Sequence, residues 1–230
     1  MNKFIFTFFA FSLFISFGCG SKETTNTTTT NSATNAPTTN TVAEKEPEFD
    51  ATAPFTPSAN PKDDLLNSTK RLQAHESWSA TLESNLYPEV KTQLEFAKPD
   101  RYRINNQTTE IIVIGKDAYG RQNNKWQKLP ADIGAEIEQM KKGFNADSMK
   151  AIKEVKKVGT EKLGGKDANI YEYSISGDKI VQNSTKVWIA SDSGLPLKTV
   201  VETQQTDATQ RQTTTYNYDK PVKIEAPQIQ

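Results

Sequence analysis

From Trp78 onward the apolar side chains recur at every second residue in short runs, and turn signals interrupt them every eight to twelve residues. Trp78, Ala80 and Leu82 alternate with Ser79, Thr81 and Glu83, and Val90, Thr92, Leu94 and Phe96 alternate with Lys91, Gln93 and Glu95. A strand reads this way when one face is packed and the other meets water. Asn105-Asn106, Gly115-Lys116-Asp117 and Asn123-Asn124 divide the next stretch into hairpins. Strand signals resume over 155–163, and the Gly164-Gly165 turn leads into 170–175, 185–190, 195–202 and 210–218. Val222–Ile224 is a last apolar remnant before a proline-containing tail. Such a pattern predicts an antiparallel meander of about eleven strands.

Two helical segments break the period of two. Asn60 suits an N-cap, Pro61 the first helical position, and Asp63 and Asp64 the positive end of a helix dipole. Leu65, Leu66, Thr69 and Leu72 then share a face, which predicts a helix over 62–76. Farther on, Ile133, Ile137, Met140 and Phe144 are spaced by four, three and four, with Gly143 as a stop signal, and Met149 and Ile152 follow. A closed barrel has no need of such an apolar helical stripe, whereas a curved open sheet must have its concave face covered. The expected fold is therefore α+β and mainly β: an open antiparallel half-barrel whose concave face is covered by helices over 62–76 and 133–153.

Strand parity assigns Leu82, Leu94, Phe96, Tyr102, Ile104 and Tyr119 to the concave face, together with Tyr171, Tyr173, Val187, Ile189 and Leu197. Ile133, Ile137, Met140, Phe144 and Met149 form the covering lid. A lining of this kind either holds alkyl chains or packs sheet against helix with no cavity between them. Methionine suits the first role because its side chain adapts to varied partners.

The N-terminal quarter has a different composition. Seven of the eleven phenylalanines fall within the first 18 residues, after a single Lys3, and the apolar run stops at Gly18-Cys19. A basic start, a short apolar run and a small residue at the cut define a secretory signal peptide. Ile15-Ser16-Phe17-Gly18-Cys19 resembles a bacterial lipobox, with Ser16 and Phe17 departing from its usual residues. That resemblance implies cleavage after residue 18 and acylation of Cys19, with palmitate-type chains contributing about 0.8 kcal/mol per buried methylene. Gly20 in place of Asp leaves out an inner-membrane retention signal, which favours the outer membrane, facing the periplasm. Residues 20–61 contain no Leu, Ile, Met, Trp or Tyr and are rich in Thr, Asn and Pro. Composition of this kind predicts a disordered tether over 19–60, with a reach of roughly 35 Å, and a folded domain over 61–227.

Several function classes are excluded. With 28 basic and 28 acidic side chains the net charge is zero, which argues against a nucleic-acid partner. One cysteine and one histidine leave no disulfide framework and no zinc ligand set. His75 is a poor general base in a run of polar residues, and no nucleophile elbow, phosphate loop or paired-carboxylate motif is present. An enzyme is not expected, and neither is a cofactor or a metal.

Four segments in order carry a family resemblance. Phe96-Ala97-Lys98-Pro99-Asp100-Arg101-Tyr102-Arg103 looks like a basic-Pro-x-x-aromatic-Arg strand entry, and the 111–119 hairpin with Lys125-Trp126 follows it. Val158–Gly165 carries a G-x-E-x-x-G-G pattern, and Val187–Lys198 a V-W-I…D-x-G-L-P-x-K hairpin. Together they resemble the LolA-like superfamily over most of 62–226, and in particular its LppX/LprG-like lipid-binding lipoproteins. The resemblance implies a half-barrel with a helical lid over an apolar cavity that accepts lipid or acyl chains. It also implies a tie between sheet and lid at Lys98, where the soluble carrier of the family has arginine. An anchored holder or transfer protein in the cell envelope is the leading expectation. The alternative is an envelope-stress or scaffold-type module of the same fold, which recognises an envelope protein partner and carries no lipid.

Overall fold

A computed structural model describes residues 49–130, 152, 154–177, 180–204 and 209–229. The chain divides after Asp50 into two units, and the second, Ala51–Gln230, is the one described below. Cys19, the signal peptide and residues 19–48 of the expected tether lie outside the described residues.

One helix, α1 (Pro61–Ala74), opens the order of elements. Its start follows the expected chemistry: the Asn60 side chain accepts from the Lys62 backbone N–H at 3.1 Å, Pro61 opens the helix, and Asp63 and Asp64 lie in its first turn. Six strands follow: β1 (Ser77–Ser84), β2 (Tyr87–Ala97), β3 (Arg101–Asn105), β4 (Glu110–Ile114), β5 (Asp117–Gln122) and β6 (Lys125–Lys128). Five more complete the chain: β7 (Val155–Leu163), β8 (Lys166–Gly177), β9 (Ile180–Ala190), β10 (Pro196–Gln204) and β11 (Thr209–Asn217).

All eleven form a single antiparallel sheet in the order β6-β5-β4-β3-β2-β1-β11-β10-β9-β8-β7. Sequence neighbours pair as hairpins within β1–β6 and within β7–β11, and the remaining pairing, β1 with β11, joins the two halves. Tight turns make this possible. Asn123 and Asn124 both take positive φ, 49° and 62°, which suits the two-residue β5–β6 hairpin. Among the described residues no ladder joins β6 to β7, so the sheet is an open half-barrel. The connection between these two free edges contains the expected 133–153 helical segment, and Ile133, Ile137, Met140, Phe144 and Met149 lie outside the described residues. Its two described ends both pack on the helix-bearing face: Leu129 against Val113 and Ala118, and Ile152 against Leu65 and Tyr171.

The opposite, outer face is largely wet. Ion pairs run across its strands: Glu95 with Arg103 at 2.9 Å, Arg103 with Glu110 at 3.9 Å, and Glu110 with Arg121 at 3.0 Å. Half-exposed pairs of this type contribute about 0–1 kcal/mol each. A wet outer face is also why only 35% of the residues are hydrophobic. Two apolar patches interrupt it. In one, Ile224 and Val222 of the C-terminal segment cover Ala97, Ile112 and Tyr119. In the other, Trp188 packs with Ala168, Ala190, Leu197 and Val200, donates to Glu161 Oε2 at 2.7 Å and lies 4.8 Å beneath Lys198 Nζ.

Residues 51–60, which composition places in the tether, pack on the fold. Phe55 is 7% exposed in a cluster with Leu65, Tyr171, Val187 and Ile189. Arg71 of α1 holds this stretch, donating from Nη1 to Ala51 O at 2.9 Å and from Nη2 to Ala53 O at 2.8 Å. One aromatic ring and a set of backbone carbonyls suffice for docking, and a composition argument registers neither.

Candidate functional site

The helix-bearing face of the half-barrel is the candidate site. Cross-strand partners share a face, so the register defines it residue by residue. Trp78, Phe96 and Tyr102 pair in one row, and Ala80, Leu94 and Ile104 in the next. Val113 and Ala118 continue the first row onto β4 and β5. Leu82 completes the set on β1. The rings interlock, with Trp78 stacked on Phe96 at 5.5 Å and Phe96 tilted on Tyr102 at 5.1 Å between centroids. Leu72 of α1 packs against this cluster. On the other half, Tyr171 pairs with Val187 and Tyr173 with Thr185, while Ile189 follows Val187 on the same side of β9. Leu65 of α1 packs there with Phe55. Nine of the eleven expected sheet-lining residues thus share one face: Leu82, Leu94, Phe96, Tyr102 and Ile104 on one half, with Tyr171, Tyr173, Val187 and Ile189 on the other.

Two expected lining residues lie on the outer face. Tyr119 pairs with Ile112 and packs with Ile224. The unbroken run Ile111–Ile114 hides its parity, because the C-terminal segment covers the outer face there and both faces are apolar. Leu197 packs with Trp188 and Ala190. A register shift between Pro196 and Lys198 displaces it, since one inserted residue reverses the parity of a strand. Lys98, the expected tie between sheet and lid, follows β2 directly. Its Nζ pairs with Glu76 Oε1 at 3.0 Å, an exposed contact that ties β2 to the loop after α1.

The face also holds polar groups that hydrophobic patterning passed over. Asp64 is 1% exposed, accepting from the Tyr171 hydroxyl at 2.7 Å and from the Ser58 N–H at 2.7 Å. Arg71 adds a bond to Ser193 O at 3.2 Å in the β9–β10 turn and lies 5.6 Å from the Phe55 ring centroid. Consequently the buried stripe of α1 is Asp64, Leu65, Ser68, Arg71 and Leu72, rotated from the stripe that the leucines alone define. Burial pushes the Tyr173 hydroxyl up to about 12, with a hydrogen bond to Thr185 offsetting part of the rise. Tyr216 is pushed up to about 12 by the same cause, against a hydrogen bond to Thr199. Tyr171 and Tyr218 are also raised, chiefly by burial, and in Tyr171 the Asp64 carboxylate adds to the effect. These phenols stay neutral at physiological pH and act as hydrogen-bonding groups.

The site has little reactive chemistry. His75 holds Ser77 O at 2.7 Å through Nδ1 and packs on Tyr218 at 5.1 Å between ring centroids. Among the described residues no group of three or more His, Cys, Asp or Glu side chains could hold a metal ion. An open cleft of about 410 Å³ lined by Thr160, Glu161, Lys162, Asp167, Ala168 and Ser191 is too polar for an alkyl chain.

Known structures share this architecture. The lipoprotein LppX of Mycobacterium tuberculosis superposes with a TM-score of 0.57 at 13% identity, over 71% of this chain and 97% of its own. LprF of Mycobacterium bovis does so with a TM-score of 0.54 at 15% identity, over 75% of this chain and 99% of its own. A LolA superfamily protein of Nitrosomonas europaea also aligns, over 71% of this chain and 96% of its own at 9% identity, but its TM-score of 0.30 adds nothing to the comparison. No family model and no curated protein matches the sequence. The chain shares the half-barrel fold of LppX and LprF.

Proposed function

We propose that this chain is an envelope lipoprotein that binds lipid or acyl chains on the inner face of its half-barrel and holds or transfers them without making or breaking a bond. The observation that carries this reading is the continuous apolar inner face of β1–β5, from Trp78 and Leu82 through Leu94 and Phe96 to Val113 and Ala118. This face is roofed by a single described helix, which packs on it through Leu72. Tyr102 and Ile104 remain half-buried at its margin, as a surface that receives further hydrocarbon requires. The ends of the 129–154 connection both reach the same face, which supports its role as the lid carrying Ile133, Ile137, Met140, Phe144 and Met149. LppX is itself a lipoprotein, and its fold is shared here.

Cys19 is the proposed lipidation site, and the segment after it is the tether between membrane and domain. Outer-membrane anchoring facing the periplasm fits Gly20. Three measurements test this reading. Mass spectrometry of the mature N-terminus should find residue 19 acylated, and Cys19→Ser should release the protein from membranes. Purified protein should accelerate the movement of a fluorescent palmitoyl lipid between phosphatidylglycerol-containing vesicles. A chain that neither binds nor moves such a lipid would refute the proposal.

A further inference from the structure

Both buried ionic side chains of α1 divide their hydrogen bonds between the half-barrel and the segment that precedes the helix. Asp64 accepts from the Tyr171 hydroxyl of β8 and from the Ser58 backbone N–H, each at 2.7 Å. Arg71 donates to Ser193 O in the β9–β10 turn at 3.2 Å, and to Ala51 O and Ala53 O at 2.9 and 2.8 Å. These two side chains lie on the buried stripe of α1, about 10 Å apart along its axis. Residues 51–58 therefore run antiparallel to the helix as a strap, clamped at both ends through backbone atoms.

Between the clamps one side chain is read. Phe55 enters a pocket of Leu65, Tyr171, Val187 and Ile189, and the Arg71 guanidinium lies 5.6 Å from its ring centroid. Gly194 forms the wall at the β9–β10 turn, where a Cβ would meet Phe55 Cδ2 at 2.5 Å. Thr52, Pro54, Thr56, Pro57 and Ser58 are exposed, so the sequence of the strap matters at little beyond the ring.

Backbone hydrogen bonds supply affinity and a side-chain pocket supplies specificity in grooves that bind extended peptides. Nothing in this recognition requires the occupant to be covalently attached. A vacant groove would leave the Asp64 carboxylate and the Arg71 guanidinium short of partners at buried positions, which is costly, so some segment must fill it.

We propose that the groove between α1 and the β9–β10 turn is a peptide-binding site, filled by residues 51–58 in the free protein and taken over by an extended, phenylalanine-bearing segment of a partner protein. The attached strap competes at an effective concentration on the order of millimolar, which keeps weak ligands out. This site goes beyond the lipid-binding reading, and its test contains no lipid.

Ring complementation tests it. In full-length Phe55→Ala the strap keeps its backbone and loses its anchor, which frees the pocket. A fluorescein-labelled peptide of residues 51–60 should bind this variant roughly tenfold or more tightly than the same peptide carrying Phe55→Ala. The unaltered protein, its groove filled by its own strap, should bind neither at those concentrations. If full-length Phe55→Ala does not fold alone, excess of the phenylalanine peptide should restore a cooperative urea transition, and failure to restore it overturns the proposal. Equal binding of the two peptides, binding to the unaltered protein as tight as to the variant, or no binding to folded Phe55→Ala overturns it as well.

Discussion

The Tyr171 hydroxyl donates a 2.7 Å hydrogen bond to Asp64 Oδ2, joining the middle of β8 to the first turn of α1 across 107 positions of sequence. Both side chains are buried, at 0% and 1% exposure. The contact fixes how the helix lies on the half-barrel, and it explains why a carboxylate occupies the buried stripe of α1. Ser58 N–H supplies the second bond, so the charge is accommodated by two donors from separate segments.

Tyr171→Phe removes one donor and leaves the carboxylate underpaired. We expect a loss of about 1–3 kcal/mol, read as a fall in the urea midpoint at unchanged slope. Asp64→Asn alone should also destabilise. The double variant should lose less than the sum of the two, because the residues are directly bonded.

Much of the fold was legible in the sequence. The Asn60-Pro61 start, the Gly and Asn turns and the period of two led to α1 and to six strands followed by five, because local turn chemistry and half-buried alternation are local signals. Parity failed where those signals do: at Tyr119, in a stretch with both faces covered, and at Leu197, beside a bulge. Asp64, Arg71 and Phe55 were missed for a different reason. Their partners are Tyr171, Ser193 and the β9–β10 turn, and nothing in the local pattern announces a buried polar group whose partner lies a hundred residues away.

Gly194 has φ of 69°, and a Cβ there would meet Phe55 Cδ2 at 2.5 Å. Gly194→Ala therefore combines left-handed backbone strain with a steric conflict, at about 2–4 kcal/mol. Adding Phe55→Ala relieves the conflict with the ring, while the backbone strain and the 2.9 Å approach to Arg71 Cδ stay. A double variant less destabilised than the sum of the singles, by thermal or urea unfolding, would show that the glycine makes room for the ring.

Arg71 and Lys98 should differ sharply. Arg71→Met removes three carbonyl partners and should lower stability by about 2 kcal/mol or more, with hydrogen exchange rising over residues 51–58. Lys98→Met breaks one pair in which Glu76 is 83% exposed, so its effect should stay within about 0.5 kcal/mol. A large loss at Lys98 would support the expected sheet–lid tie.

Alkaline stability follows from the buried phenols. The ordinary tyrosine value is near 10, and Tyr173 and Tyr216 are pushed up to about 12 in the folded chain. A raised folded value means that the unfolded chain releases these protons first. Their contribution is complete below about pH 10 and is lost as pH climbs through about 12. Urea midpoints measured between pH 9 and 12 should fall over that window, and less steeply in Tyr173→Phe and Tyr216→Phe.

The central claim is that the inner face receives lipid, and native mass spectrometry of the full-length protein taken from its own membranes tests it most directly. We expect a noncovalent lipid adduct that is lost on denaturation, separate from any covalent mass at Cys19. Ile104→Gln on the inner face should diminish that adduct, while Ile170→Gln in the outer cluster should leave it unchanged. A protein without the adduct under native conditions, or one whose adduct depends equally on both faces, would show that the inner face does not hold lipid.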